Sequence, residues 1–583
     1  MRLAVMSKAR RRSGVVVAGL MLARLTGALV PAAAATADTA PAPAPTAPGA
    51  VVPSNDATRL VAAMQPGYGL GNSLDAIPDE TSWGNPPISQ DLLLKVKSLG
   101  YKSVRIPVTW GNHQGAAPDY TVDPAFMART KQIVDWALAD GFYVVLNVHH
   151  DSWQWITNMP TDPAGVTAHY NATWTQIANA FKDEPTKLIL EADNEQSFSG
   201  VTEAQGETLL NQLQTSFFNI VRSSGGQNAT RYLMLSSLGD TATQSLDDAL
   251  YAEIQSLHDS HLIASFHYYA YWPFGVNIAG FNTFDATSQK DLIDAFTLVH
   301  NTFIAKGIPV YAGEIGVFNY WNLNRNIEHG ELLKYYEALG YEARATGVTL
   351  NYWDDGGRIL DRNTLQPFEP EVLAAVQSSW KTRSGTASND TVYLPKASPI
   401  ADASLTLNLN GLQFTGLYNG SRPLEEGCDY TVSGDKLTIK AALLTKLVGS
   451  RAYGVNATLQ AHFSRGLPWQ INIVTNAQPV LSAATGTTSS FTIPTQFNGD
   501  TLSMMQSVYA DGSNAGQATW TSYQMYGDSF SADYPNSDIV LPAAYLNSLT
   551  DGSRVTLTFH FWSGATATYY VTKTGTTVTG TLS

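Results

Sequence analysis

Between residues 54 and 380 the sequence passes eight times from a short apolar run to a longer stretch with helical spacing, and few folds accept that rhythm. The runs fall at 68–75, 103–110, 143–150, 188–195, 232–239, 261–269, 308–316 and 348–355, with amphipathic stretches such as 123–140 and 203–222 between them. A strand and crossover helix repeated eight times closes into a parallel barrel more readily than it spreads as an open sheet. The spacing therefore predicts a (β/α)8 TIM barrel, in which chemistry sits where the strands end. Polar residues do collect late in the runs: Arg105, His149, His150, Asn194, Glu195, His267, Tyr269, Glu314 and Trp353.

After Trp380 short strands and turn residues take over. The segments NGLQFTGLYNG and DYTVSGDKLTIK read as hairpins, and two β-sandwich (Ig-like) modules fit residues 390–476 and 477–583. In the second, Val555, Leu557, Phe559 and Phe561 alternate inward, which leaves His560 and Trp562 outward. The N-terminus carries Arg2, Lys8, Arg10, Arg11 and Arg12, then an apolar stretch from Gly14 to Val30 and small residues to Ala37. That is the pattern of a signal peptide over 1–37, and a Pro/Ala/Thr linker over 38–53 leads to a catalytic domain over 54–383. The expected destination is extracellular.

Loss of residues 1–37 removes six basic and no acidic residues, which takes the net charge from −14 to −20. Such a chain repels nucleic acid and, once the signal is gone, anionic membranes. The single cysteine, Cys428, cannot form an intrachain disulfide. Low charge with 13 Trp and 27 Tyr suits a neutral polymer as partner and substrate. A monomer is expected.

The run LILEADNEQSF places Glu191, Asp193 and Glu195 within five residues. Acids ending an apolar strand cost several kcal/mol unless they are paired or used. Retaining hydrolysis of a glycoside needs two carboxyl groups about 5 Å apart, and Glu195 and Glu314 each end a run. Around them Arg105 can hold a nucleophile ionised, Asn194 can donate to a sugar hydroxyl, and Trp353 offers a face to a sugar ring. His267 and Tyr269 are two apart, so a strand presents both on one face, and Tyr269 can donate to the attacking carboxylate. Adjacent His149 and His150 would point to opposite faces of a strand, so one ion could not take both, and neither metal nor cofactor is expected. Trp83, Trp110, Trp153, Trp155, Trp272 and Trp321 fall at or beyond strand ends and are candidates for sugar platforms.

With GYGLGNSLDA, ETSWGNP, SVRIPVTW, LNVHH, LEADNEQ, SFHYYAYWPF, AGEIG and NYWDDGG in order, residues 55–380 resemble a glycoside hydrolase family 5 endoglucanase. The resemblance implies that Glu195 is the acid/base and Glu314 the nucleophile of a retaining endo-β-1,4-glucanase, with Arg105, His149, Asn194, His267, Tyr269 and Trp353 around the scissile sugar. It implies β-glucan, branched xyloglucan included, as substrate. His150 is then expected in the cleft wall. The other readings are a mannanase or xylanase of the same clan, or a noncatalytic wall protein on a dead barrel. Glu191 matches a structural acid of the family; Asp193 and Gln196 depart from its pattern. Residues 390–476 resemble an X2-type module and 477–583 a family 46 carbohydrate-binding module. The short linkers imply that the last module folds back, so that Trp562, Trp520 or Tyr523 borders the cleft.

Overall fold

The computed structural model describes residues 54–318 and 326–583. The signal peptide and linker expected over 1–53, and Trp321, lie outside the described residues. Among the described residues no helix is long and apolar enough to cross a membrane.

Eight parallel strands close in sequence order into a barrel: β1 (Gly67–Leu70), β2 (Ser103–Ile106), β3 (Tyr143–Asn147), β4 (Leu188–Glu191), β5 (Leu233–Ser236), β6 (Leu262–Tyr268), β7 (Val310–Ile315) and β8 (Thr349–Asp354). These runs are apolar on both faces because each strand packs inward on the lumen and outward on helices. Val144, Leu146, Leu188 and Leu190 join the layer beneath the helices. Val145, Ile189, Met234, Ile263 and Tyr311 fill the lumen, closed from below by Ala57, Val61 and Met64 at the N-terminal helix Asp56–Ala63. Each buried aliphatic side chain contributes about 1.5–3 kcal/mol, so this layer makes the barrel floor rigid.

The connecting helices start where the sequence signals them. Asp123 caps Pro124–Ala139, whose proline stands in the first turn, and Thr202 with Gln205 makes a capping box for Glu203–Ser223. The strands, in contrast, stop earlier than the sequence suggests. β3 ends at Asn147 and β4 at Glu191, so His149, His150 and Glu195 lie on loops. Strand alternation therefore does not orient them, and the opposed faces expected for the two histidines are not seen: their rings lie 4.4 Å apart.

The first sandwich pairs a four-stranded with a five-stranded sheet, and the second a four-stranded with a six-stranded one. Tyr430–Ser433 and Lys436–Ile439 form the expected hairpin. NGLQFTGLYNG is instead a single strand, Phe414–Asn419, that turns back onto Arg422–Pro423. Both modules are fastened to the barrel. Asn410 Nδ2 of the first sandwich donates to Glu337 Oε2 at 3.1 Å, and Lys334 donates to the Ser388 carbonyl at 2.7 Å. The last module grips the loop after β6: Ala279 N–H donates to Tyr523 O at 3.2 Å, Tyr526 N–H to Asn277 O at 3.1 Å, and Asn282 to Ser503 Oγ at 2.7 Å.

Candidate active site

At the base of the site stands Arg105, on β2 and fully buried. Its Nε donates to Glu191 Oε2 at 2.8 Å, one terminal nitrogen to Glu314 Oε1 at 2.8 Å, and the other to Asn194 Oδ1 at 2.7 Å. Burial opposes the charge, but Glu191 and Glu314 outweigh it and raise the guanidinium pKa further. Glu191 thus serves as counter-ion on the floor of the site. Because Asn194 spends its oxygen on Arg105, its amide nitrogen remains the donor for a ligand.

Glu314, near the end of β7, is 5% exposed. Besides Arg105 it accepts from Tyr269 Oη through Oε2 at 2.6 Å, with His149 Nε2 at 3.8 Å and His267 Nδ1 at 3.9 Å. Donors on both oxygens fix this carboxylate in orientation. Glu195 is more open, with 30% of its side chain exposed, and His267 Nδ1 bonds its Oε1 at 2.8 Å. Burial pushes its carboxyl up, but the hydrogen bond and charge of His267, with Arg105, outweigh that and lower it. One oxygen or nitrogen each from Glu195, His267 and Glu314 lie within 4.8 Å of one another. Glu195 reaches this position with φ of 46°, a left-handed conformation that a strand could not supply.

Trp353 roofs the site, stacked at 10° and 5.8 Å on His149. A Cβ on Gly71 would fall 2.2 Å from the Trp353 ring, so only glycine allows the ring to lie there. His150 borders the cleft, with Trp83 at 5.3 Å and Trp153 at 5.4 Å between ring centres. Trp110, by contrast, is fully buried and belongs to the core, and Trp155 packs on His169 at 3.7 Å. Across the barrel, Trp272 after β6 faces Trp520 of the last module at 6.4 Å. The Tyr523 ring also reaches the barrel, 3.8 Å from where a Cβ on Gly280 would stand, and Trp562 is half-buried just past its strand, its backbone N–H donating to Thr501 O at 3.0 Å.

Asp75, His149 and His150 bring three donor atoms within 4.8 Å, a spacing that a metal ion would accept. The hydrogen bonds argue otherwise. Trp153 Nε1, a donor only, bonds His150 Nδ1 at 2.8 Å, and Asn147 Nδ2 bonds His149 Nδ1 at 3.1 Å. Both rings then carry their proton on Nε2, the nitrogen facing the cluster, and act there as donors. Asp75 already accepts from the Asn72 and Ser73 amides at 2.9 and 2.7 Å.

The cellulase family, glycosyl hydrolase family 5, matches residues 69–356. Along its full length the chain is 45% identical to endoglucanase B of Paenibacillus lautus, over 99% of this chain and 100% of that protein. The chain belongs to glycosyl hydrolase family 5. The carbohydrate-binding X2 family matches 386–473 and the carbohydrate-binding family 46 matches 477–581. The tri-modular endo-β-1,4-glucanase B of Bacillus halodurans superposes with a TM-score of 0.88 at 42% identity, covering 91% of this chain and all, 100%, of that one. A xyloglucan-specific family 5 endo-β-1,4-glucanase from a metagenomic library, solved with cellotriose, superposes at 0.50 with 27% identity over 55% of this chain and 98% of that one. The family 5 chain is therefore an enzyme of cellulase type, built as barrel, X2 and family 46 module in that order.

Asp240, on the loop after β5, is a functional candidate that sequence reading missed. Its signal was present: it is a polar residue just past a strand end, in SSLGDTA.

Proposed function

We propose that this family 5 enzyme is a retaining endo-β-1,4-glucanase in which Glu314 is the nucleophile and Glu195 the acid/base. The observation that carries the reading is that one oxygen of each carboxyl lies within 4.8 Å of the other and of a His267 ring nitrogen, too near for a water to be held between them. Retention needs about 5–5.5 Å, and an inverting enzyme leaves about 6.5–9.5 Å for a water. The oxygens of Glu314 are held by cationic and phenolic donors, as suits an attacking carboxylate. Glu195, with 30% of its side chain exposed against 7% for Glu314, is the more accessible of the two, as suits a group that meets a leaving group and then water.

Glu314 attacks the anomeric carbon as the bond to the leaving sugar oxygen breaks and Glu195 gives that oxygen a proton. Glu195 then removes a proton from water, which attacks the same carbon, releases Glu314 and restores Glu195. Arg105 and Tyr269 hold the charge of Glu314 before attack and after release, and the Asn194 amide is placed to donate to the sugar 2-hydroxyl. The polymer lies across the barrel mouth on Trp353, with Trp83 and Trp153 toward one end and Trp272 with Trp520 toward the other.

The wall that the last module adds beside Trp272 favours bulky, branched chains, so xyloglucan is among the substrates. The N-terminal pattern directs export. The catalytic assignment is tested with Glu195→Ala and Glu314→Ala on a dinitrophenyl cellobioside. Azide should rescue Glu195→Ala and give the β-glycosyl azide. Rescue of Glu314→Ala as the β-azide would reverse the roles.

A further inference from the structure

The acid/base candidate is gripped by a segment that the mechanism above does not use. After β5 the chain turns at Gly239 (φ 68°) and Asp240 (φ 50°) and closes on the backbone of Glu195 and Gln196. Glu195 N–H donates to Asp240 Oδ2 at 2.6 Å, and Gly239 N–H donates to Gln196 O at 2.8 Å. These two bonds hold the left-handed conformation of Glu195, which costs about 1–3 kcal/mol in a residue with a side chain.

Asp240 also has a second route to the acid. Its Oδ1 is buried without a hydrogen-bond partner and stands 3.9 Å from His267 Nε2, which is likewise unpartnered. The other nitrogen of the same ring bonds Glu195 Oε1 at 2.8 Å. His267 has room there because residue 313 is glycine; a Cβ would fall 3.0 Å from Nε2.

We infer that Asp240 is a positioning residue: by keeping His267 protonated on both nitrogens, it makes Glu195 Oε1 an acceptor, so that whenever Glu195 is protonated the transferable proton sits on Oε2. With a neutral His267 the ring could take the proton on Nε2 and accept from Glu195 through Nδ1. The acid proton would then point at the ring and not at the leaving group. The groups around the ring set this balance together: Asp240 after β5, Glu195 after β4 and Glu314 on β7 favour the charged ring, while burial opposes it and His149 after β3 is itself held neutral. The outcome is a ring raised to about 9, against burial, chiefly by Asp240, Glu314 and Glu195. The inference rests on Glu195 being the acid.

The test is Asp240→Asn in the full chain, since an amide oxygen can still accept from Glu195 N–H while the charge is gone. Acid assistance matters most for a poor leaving group. For cello-oligosaccharides kcat/KM should fall about tenfold or more; for a dinitrophenyl cellobioside it should stay within about twofold. An equal fall on both substrates, or no change on either, overturns the inference. If the variant does not fold, histidine nitrogen NMR of the parent enzyme at pH 7.5 decides: two protonated nitrogens on His267 support it, and a neutral ring overturns it. Glu195→Ala, run alongside, separates the two claims. If it shows no dependence on leaving group, the acid assignment itself fails; if it does and Asp240→Asn does not, only the role of Asp240 fails.

Discussion

Tyr269 and Glu314 meet through a 2.6 Å hydrogen bond from the phenol to Oε2, on the oxygen that Arg105 does not occupy. The phenol is held protonated, by burial first and by the neighbouring Glu314 charge second, so it is a donor at any working pH. Tyr269→Phe removes that donor and little shape. We expect kcat to fall about 10–100-fold on cello-oligosaccharides with KM changed little, because the bond serves the charge on Glu314 as it is regained. Steady-state kinetics on one oligosaccharide series measure it.

Glu191 and Arg105 are both buried, at 1% and 0% side-chain exposure. Glu191→Gln leaves the guanidinium with one carboxylate in place of two. Breaking a buried pair in this way costs about 3–5 kcal/mol, so urea unfolding should show a lower midpoint with an unchanged slope.

Behind β4 and β5, Glu207, Asp247 and Glu253 are buried with carboxyls pushed up to about 7, 8 and 9, in each case first by burial and then by neighbouring acids. Their folded values lie above the unfolded ones near 4, so the folded form binds more protons. The sign follows: their neutral forms support the fold in acid, and stability falls as pH rises from about 4 through about 9. The thermal midpoint should be higher at pH 5.5 than at pH 9. Asp247→Asn with Glu253→Gln should flatten that slope.

Trp520 is 50% exposed and stands 6.4 Å from Trp272, at the seam between the last module and the barrel. Stacking on such a ring is worth about 1 kcal/mol. Trp520→Ala should therefore raise KM for xyloglucan about fivefold and leave cellotetraose turnover nearly unchanged. Equal effects on both substrates would make the module a general anchor.

The barrel was legible because its strands are buried on both faces and its helices carry caps, both local properties of the chain. The places where reading failed are those where loops take over. Strand alternation was carried through His149, His150 and Glu195, yet those residues stand beyond the last ladder bonds of β3 and β4, and a left-handed turn aims Glu195. Trp110 sits after a strand as a platform would, but its indole donates to Asn147 O at 3.0 Å inside the core, a partner far away in sequence. Asp240 was passed over because its effect runs through two residues from other strands, Glu195 and His267. The two glutamates were singled out because a carboxylate closing an apolar run requires a reason, and the fold brings them to one site. Glu191 does reach inward, to Arg105, while Asp193 is buried with its carboxyl pushed well up, by burial first and by Asp240 and Glu191 next.

The most direct test of the account is to incubate the enzyme with a dinitrophenyl 2-deoxy-2-fluoro-cellobioside and locate the trapped sugar by peptide mass spectrometry. A single adduct on the peptide bearing Glu314, as an ester of that residue, is the predicted result. An adduct on Glu195, or inactivation without any covalent sugar, would contradict it.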